Sequence, residues 1–218
     1  MTLRVERKGP VFTVVLSRPE RKNAVDRATA HALSRVMDEF EADEGASVAV
    51  LYGEGGTFCA GADLKAVSEG NLNDLDPDGP GPLGPTRRTF SKPLIAAVEG
   101  HAVAGGLELS LLCDLRVAAE SAVFGVFCRR WGVPLIDGGT VRLPRVVGHG
   151  RAMDMILTGR PVGAREALAI GLANRVVPAA TLLEDTLAWA TEIAGKAPLS
   201  LRYAKQAVNA ALAESVGD

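Results

Sequence analysis

A chain of 218 residues supports one substantial hydrophobic core and leaves little for a second; its 47% hydrophobic and 23% charged residues describe an ordinary soluble globular protein. The net charge of −2, with 24 basic residues scattered among 26 acidic ones, gives no support to a nucleic-acid partner. No apolar run reaches bilayer length and the N-terminal MTLRVERKGP lacks the apolar stretch of a signal peptide, while three unpaired-looking cysteines without CxxC spacing fit free thiols in a reducing cytoplasm.

The chain opens with a β-branched and apolar run, Val11–Ser17, to which Leu3–Arg7 is expected to pair across the Lys8-Gly9-Pro10 turn. Asp26 is placed to cap a helix running through about Glu44, with Ala30, Leu33, Val36, Met37 and Phe40 on one face. Val48–Tyr52 and Leu94–Val98 read as short buried strands. Between them, Glu69–Pro85 is so rich in Gly, Pro and Asp that a mobile surface loop is expected. Gly105–Cys113 reads as a buried helix and Leu115–Ala119 as a strand. The stretch from Phe127 to Gly139 is expected to be irregular. Helices are expected over His149–Leu157, Gly163–Ile170, Thr181–Gly195 and Pro198–Ala213, with Val176–Pro178 a brief extended break. Alternating strands and helices with apolar strands imply an α/β class.

The chemistry is concentrated in two segments, TFCAGADL (Thr57–Leu64) and GHAVAGGLELSLLCD (Gly100–Asp114). Each passes from an apolar strand through a glycine turn into a helix. Such a turn leaves backbone N–H groups without intrahelical partners, ready to receive a negative oxygen. Two facing turns would form an oxyanion hole from the N–H groups of Ala62 and Gly105. Glu108 lies three residues beyond Gly105, a helical spacing that brings its carboxylate back beside the turn. Leu107, Leu109, Leu111, Leu112 and Cys113 surround it with apolar side chains. Burial of that kind raises a carboxyl pKa and suits general acid–base work. The histidines, at 31, 101 and 149, are scattered, and no cluster has metal-ligand spacing.

These two segments closely resemble the signatures of the crotonase superfamily, the enoyl-CoA hydratase/isomerase family. LSRPERKNA (Leu16–Ala24), SKPLIAAVEG (Ser91–Gly100), AVFG (Ala122–Gly125) and GGTVRLPRVVG (Gly138–Gly148) resemble its other landmarks, in the same order along nearly the whole chain. The resemblance implies a crotonase-like β-β-α spiral core over residues 1–195. It also implies the start of a C-terminal helical and trimerisation region at 196–218, which stops early relative to the family. It further implies an acyl-CoA thioester as substrate, with coenzyme A bound only as part of it, no other cofactor and no metal. Arg21 and Lys22 would face its phosphates, and Ala24, Ala60, Asp63 and Leu64 would line its adenine and pantetheine path. A homotrimer or dimer of trimers is the implied assembly.

Glu108 falls on one of the two catalytic glutamate positions of the hydratases. At the other, the chain departs from the pattern: Cys128 stands there, preceded by Phe127 in place of proline, and Glu20 stands where relatives often carry a basic residue. A thiol serves as an acid or base only with a tuned pKa, which Arg129 and Arg130 could lower. Asp137, on the glycine-flanked loop of WGVPLIDGGT, is the better second candidate, with a turn or helix-cap role as its structural alternative. Hydration of a 2-enoyl-CoA is the expected activity. Double-bond isomerisation by Glu108 alone is one alternative. A thioesterase using Cys128 with His101, or a non-catalytic acyl-CoA-binding subunit, are the others.

Overall fold

The computed structural model describes residues 2–214; Met1 and residues 215–218, the end of the expected C-terminal region, lie outside the described residues. The chain begins with an antiparallel hairpin, β1 (Leu3–Lys8) and β2 (Val11–Leu16), turned at Gly9, whose φ of 57° suits a residue without Cβ. The parallel strands β3 (Val48–Gly53) and β4 (Leu94–Val98) follow in the same sheet. Strands β2 and β4 are buried along their whole length, as expected for strands covered on both faces.

Helix α1 (Arg27–Ala42) lies between β2 and β3. The Asp26 carboxylate accepts a bond from the Thr29 N–H at its start. At its end the fully buried Lys92 donates through Nζ to the carbonyls of Phe40 and Asp43, satisfying groups that a helix C-terminus leaves open. Helix α2 (Leu64–Ser68) is a single short segment capped by Asp63. Strand β5 (His101–Val103) leads into α3 (Gly105–Leu112), after which β6 (Leu115–Ala119) rejoins the main sheet.

Strand β7 (Val123–Gly125) pairs in parallel with β5. A 3₁₀ helix spans Phe127–Trp131, and then come α4 (Gly139–Val147) and α5 (His149–Thr158). Next are β8 (Val162–Gly163), α6 (Ala164–Ala169), β9 (Arg175–Val177), α7 (Leu182–Ala194) and α8 (Pro198–Glu214). The main sheet has the order β1-β2-β3-β4-β6-β9, and a second sheet the order β5-β7-β8. The larger core joins one face of the main sheet to α1, α3 and α4. The smaller one packs Val48, Val50, Ile95 and Val117 on the other face against Leu182 and Ala190 of α7.

The structure adds to the sequence reading at three places. The brief extended break at 176–178 is a paired strand, since β9 joins β6 through Val117–Ala119. The run Gly139–Val147, to which the sequence reading assigns no element, forms α4 despite Gly139 and Pro144. Its Leu143 and Val147 are buried, so tertiary packing outweighs two poor helix formers. The segment Glu69–Pro85 has no strand or helix, but it is not a surface loop throughout. Residues 81–86 are all buried.

Candidate active site

Two backbone ladders build the site. Cys59 runs parallel to β5: its N–H donates to the His101 carbonyl at 2.9 Å, and its carbonyl accepts the Val103 N–H at 3.1 Å. On the other side, Val25 donates to the Gly61 carbonyl at 2.8 Å and accepts the Asp63 N–H at 3.1 Å. Successive N–H groups in extended chain alternate in direction. With Asp63 spoken for by Val25, the Ala62 N–H between them faces away from Val25, and it donates to no described residue. Gly105, the first residue of α3, likewise donates its N–H to none.

Glycines bring these two donors together. A Cβ added at Gly61, where φ is 91°, would lie 2.8 Å from the Gly105 nitrogen. One added at Gly106 would run into the Cys59 carbonyl oxygen. Ala104, immediately before α3, holds φ 52° and ψ −126°, a conformation that costs a residue with a Cβ about 1–3 kcal/mol. That peptide orientation leads the chain from β5 into α3 and presents the Gly105 N–H at the turn.

Glu108 is 2% exposed. Its Oε1 accepts the N–H groups of Asp137 at 3.0 Å and Gly139 at 2.7 Å, and no described residue donates to Oε2. A Cβ at Gly139 would sit 2.7 Å from Glu108 Cγ, so that position must be glycine for α4 to approach α3. Burial first, and then the nearby Asp137 carboxylate, push the Glu108 pKa up to about 7, against the pull of the two N–H groups. Asp137 is also buried and its carboxyl is raised, again chiefly by burial. Its Oδ1 accepts the Leu83 N–H at 2.9 Å and the Thr86 hydroxyl, leaving Oδ2 without a described donor. Two buried carboxyls of raised pKa therefore lie side by side, linked through the Asp137 backbone N–H.

Cys128 is buried on the 3₁₀ helix and its thiol is raised, not lowered. Burial outweighs Arg129, and the charge of Glu108 adds to the rise. Arg130, expected to help, instead stacks 3.7 Å from the Phe127 ring and donates to the Gly159 carbonyl. His101 is exposed on β5 and makes no described side-chain contact with Cys128 or Asp137, so no thiol triad is assembled.

The turn expected to receive coenzyme A is tightly built. Arg18 donates to the Ala24 carbonyl at 2.6 Å and bridges Asp26 and Asp63, each at 3.0 Å. Asn23, buried with φ 52°, donates to the carbonyls of Glu54 and Thr57. Arg21 and Lys22 project exposed from this turn. Ala24 is buried, Ala60 is half-buried and its N–H donates to the Lys22 carbonyl, and Leu64 is exposed. The Asp63 carboxylate is occupied by Arg18 and by the N–H groups of Lys65 and Ala66. Sequence reasoning missed Arg18, Leu83, Thr86 and Arg142. The last donates to the Thr86 carbonyl at 2.6 Å and the Asp137 carbonyl at 3.2 Å. Arg18 and Arg142 lie inside quoted motifs, but only the folded contacts show where their guanidinium groups go.

Residues 6–217 match the family model described as enoyl-CoA hydratase/isomerase. Among curated relatives, the chain is 38% identical over 205 residues to enoyl-CoA hydratase EchA19 of Mycobacterium tuberculosis, covering 91% of this chain and 76% of that protein. It is 37% identical to carnitinyl-CoA dehydratase of Escherichia coli K12, covering 94% and 79%. Among solved structures, enoyl-CoA hydratase EchA1 of Mycobacterium marinum superposes with a TM-score of 0.91 at 39% identity, covering 100% of this chain and 83% of that one. A carnitinyl-CoA dehydratase of Mycobacterium avium 104 gives 0.90 at 39%, covering 95% and 81%. The chain belongs to the enoyl-CoA hydratase/isomerase family, the crotonase superfamily, whose enzymes act on CoA thioesters.

Proposed function

We propose that this enzyme adds water across the double bond of a 2-enoyl-CoA, and removes it in the reverse direction. The observation that carries this reading is the buried Glu108 carboxyl on α3, the helix that starts at Gly105, whose N–H, like that of Ala62, donates to no described residue. The thioester oxygen sits between those two N–H groups. As water attacks Cβ, the double-bond electrons move onto that oxygen, and two preset donors stabilise the resulting enolate more than they do the neutral ester. Each such donor is worth about 3–4 kcal/mol of barrier.

Glu108, as carboxylate, takes the proton of the attacking water through Oε2, while its other oxygen stays on the two N–H groups. The hydroxyl bonds to Cβ. Collapse of the enolate takes a proton at Cα from Asp137 through Oδ2, so that H and OH are added and the carboxyls exchange a proton to reset. Two neighbouring buried carboxyls favour this division, since one held neutral and one ionised avoids like-charge repulsion. Protein groups, water and substrate balance the reaction. Relatives named as hydratase and as dehydratase support addition and loss of water over bond migration.

A second reading, double-bond isomerisation by Glu108 alone, draws on the two hydrogen bonds that occupy Asp137 Oδ1 and on a neutral thiol at Cys128. Asp137→Asn separates them, because the amide oxygen preserves both accepted bonds but cannot supply the proton. Hydration predicts at least a hundredfold loss of kcat in this variant, and isomerisation predicts retained deuterium exchange and bond migration. The thiol hydrolase is disfavoured by the raised thiol, and insensitivity to cysteine alkylation would remove it.

We place the CoA phosphates at Arg21 and Lys22, the rest of the nucleotide and the pantetheine arm along Ala24, Ala60 and Leu64, with Asp63 shaping that path. We also propose a cytoplasmic homotrimer, or a dimer of trimers, in which residues 1–195 form the core and α8 begins the assembling region. Exposed Leu199, Tyr203 and Val208 on α8 support that assignment.

A further inference from the structure

The turn Gly81–Thr86 contradicts its own composition. It follows an exposed run, Asp74–Asp78, yet each of its six residues is buried. Gly84, at φ 93°, lets the chain press on α1, where an added Cβ would lie 2.5 Å from the Ala30 carbonyl oxygen. Asn73 donates to the Pro82 carbonyl at 2.8 Å, and Asp137 accepts from both Leu83 and Thr86. Arg142 donates to the Thr86 carbonyl at 2.6 Å. Swinging the turn outward would break all of these bonds in a buried setting, where unpaired polar groups are costly.

This clamped turn carries Leu83 directly against the candidate oxyanion hole. Leu83 is 2% exposed, and a Cβ added at Gly105 would meet both of its terminal methyls at 2.9 Å. The Leu83 N–H lies on Asp137, whose own N–H lies on Glu108. The side chain therefore stands between the oxyanion donor and the carboxyl pair, in the region that the acyl carbons next to the thioester must enter. We propose that Leu83 limits the acyl group, so that this enzyme takes short-chain 2-enoyl-CoA esters and excludes long straight chains. The inference rests on the acyl-CoA reading of the site.

Chain-length selectivity can be read from binding alone. The probes are butyryl-, hexanoyl- and decanoyl-CoA, saturated esters that cannot be hydrated, titrated calorimetrically into the wild type, Leu83→Ala and Leu83→Val. Longer chains ordinarily gain affinity through added apolar burial. A fixed Leu83 reverses that order: butyryl-CoA binds at least tenfold tighter than decanoyl-CoA, Leu83→Ala shrinks the ratio at least tenfold, and Leu83→Val falls between. Decanoyl-CoA binding to the wild type as tightly as butyryl-CoA, or a ratio that does not move in a folded variant, overturns the proposal. Because these esters undergo no water addition, selectivity can hold even where hydration fails. Absence of binding by every ester would overturn both readings.

Discussion

Glu108 holds a proton in the folded protein over a pH range in which the unfolded chain has lost it. Below about pH 4.5 both states carry the proton. Between 4.5 and about 7 only the folded state does, so stability falls as pH rises through this window, and the full cost persists above it. That cost is about 3 kcal/mol. Glu108→Gln, which keeps an acceptor for the Asp137 and Gly139 N–H groups, should therefore unfold at higher denaturant concentration at pH 8 while losing at least a thousandfold in kcat. In the wild type the carboxyl pair must hold one proton, so kcat/KM should rise as Glu108 ionises near pH 7 and fall again once Asp137 loses the proton it donates. A profile without an ionisation near 7 would contradict this assignment. The same scale holds a stability prediction at Ala104. Glycine there relieves the positive-φ strain and should raise stability by about 1 kcal/mol net of its greater freedom in the unfolded chain. Chemical denaturation measures the difference. Glu108 was legible from its helical spacing and leucine neighbours. The strain at Ala104 was not, because alanine in a sequence carries no sign of its backbone angle.

At the scale of elements, the site is the meeting of an extended segment with a helix start, and Gly106 sets how closely they approach. Gly106→Ala would drive a methyl into the Cys59 carbonyl, a backbone atom that cannot swing aside. We expect a loss of 3 kcal/mol or more, on the order of a severe core substitution, with acyl-CoA turnover falling below detection. A circular-dichroism melt and an activity assay check both. The two glycine turns were readable because the device needs glycine where chains nearly touch. The hairpin and the capped α1 were readable for similar local reasons, namely a turn signal and a helical apolar face. Helix α4 and the buried turn at 81–86 were hidden by their Gly and Pro content. Their order comes from distant partners: Leu143 packs into the common core, and Asp137, Arg142 and Asn73 hold the turn. Cys128 was legible as a departure from the family pattern, but whether its arginine neighbours would win over burial was not. In the folded chain one of them stacks on Phe127 instead.

Across the whole molecule, one six-stranded sheet carries α7 on one face and α3, the helix that bears Glu108, with α1 and α4 on the other. Strand β5 of the second sheet leads into α3 and β6 of the main sheet follows it, so short connections to both sheets position Glu108. Helix α8 touches this body through Lys205, which donates to the Lys92 carbonyl and pairs with Asp114, and through Arg145 to the Leu212 carbonyl. Its Leu199 and Tyr203 remain 65% and 67% exposed. Replacing both with glutamate should dissociate the proposed trimer, and sedimentation velocity would show a shift to monomer; a wild type that sediments as a monomer would contradict the assembly.

The central claim, an enolate held by Ala62 and Gly105 and protonated by buried carboxyls, is tested most directly by mass spectrometry of crotonyl-CoA incubated with the enzyme in heavy water. The account predicts a product heavier by one D₂O, with carbon-bound deuterium at Cα, and no product from Glu108→Gln. An ester that gains neither water nor deuterium would contradict it.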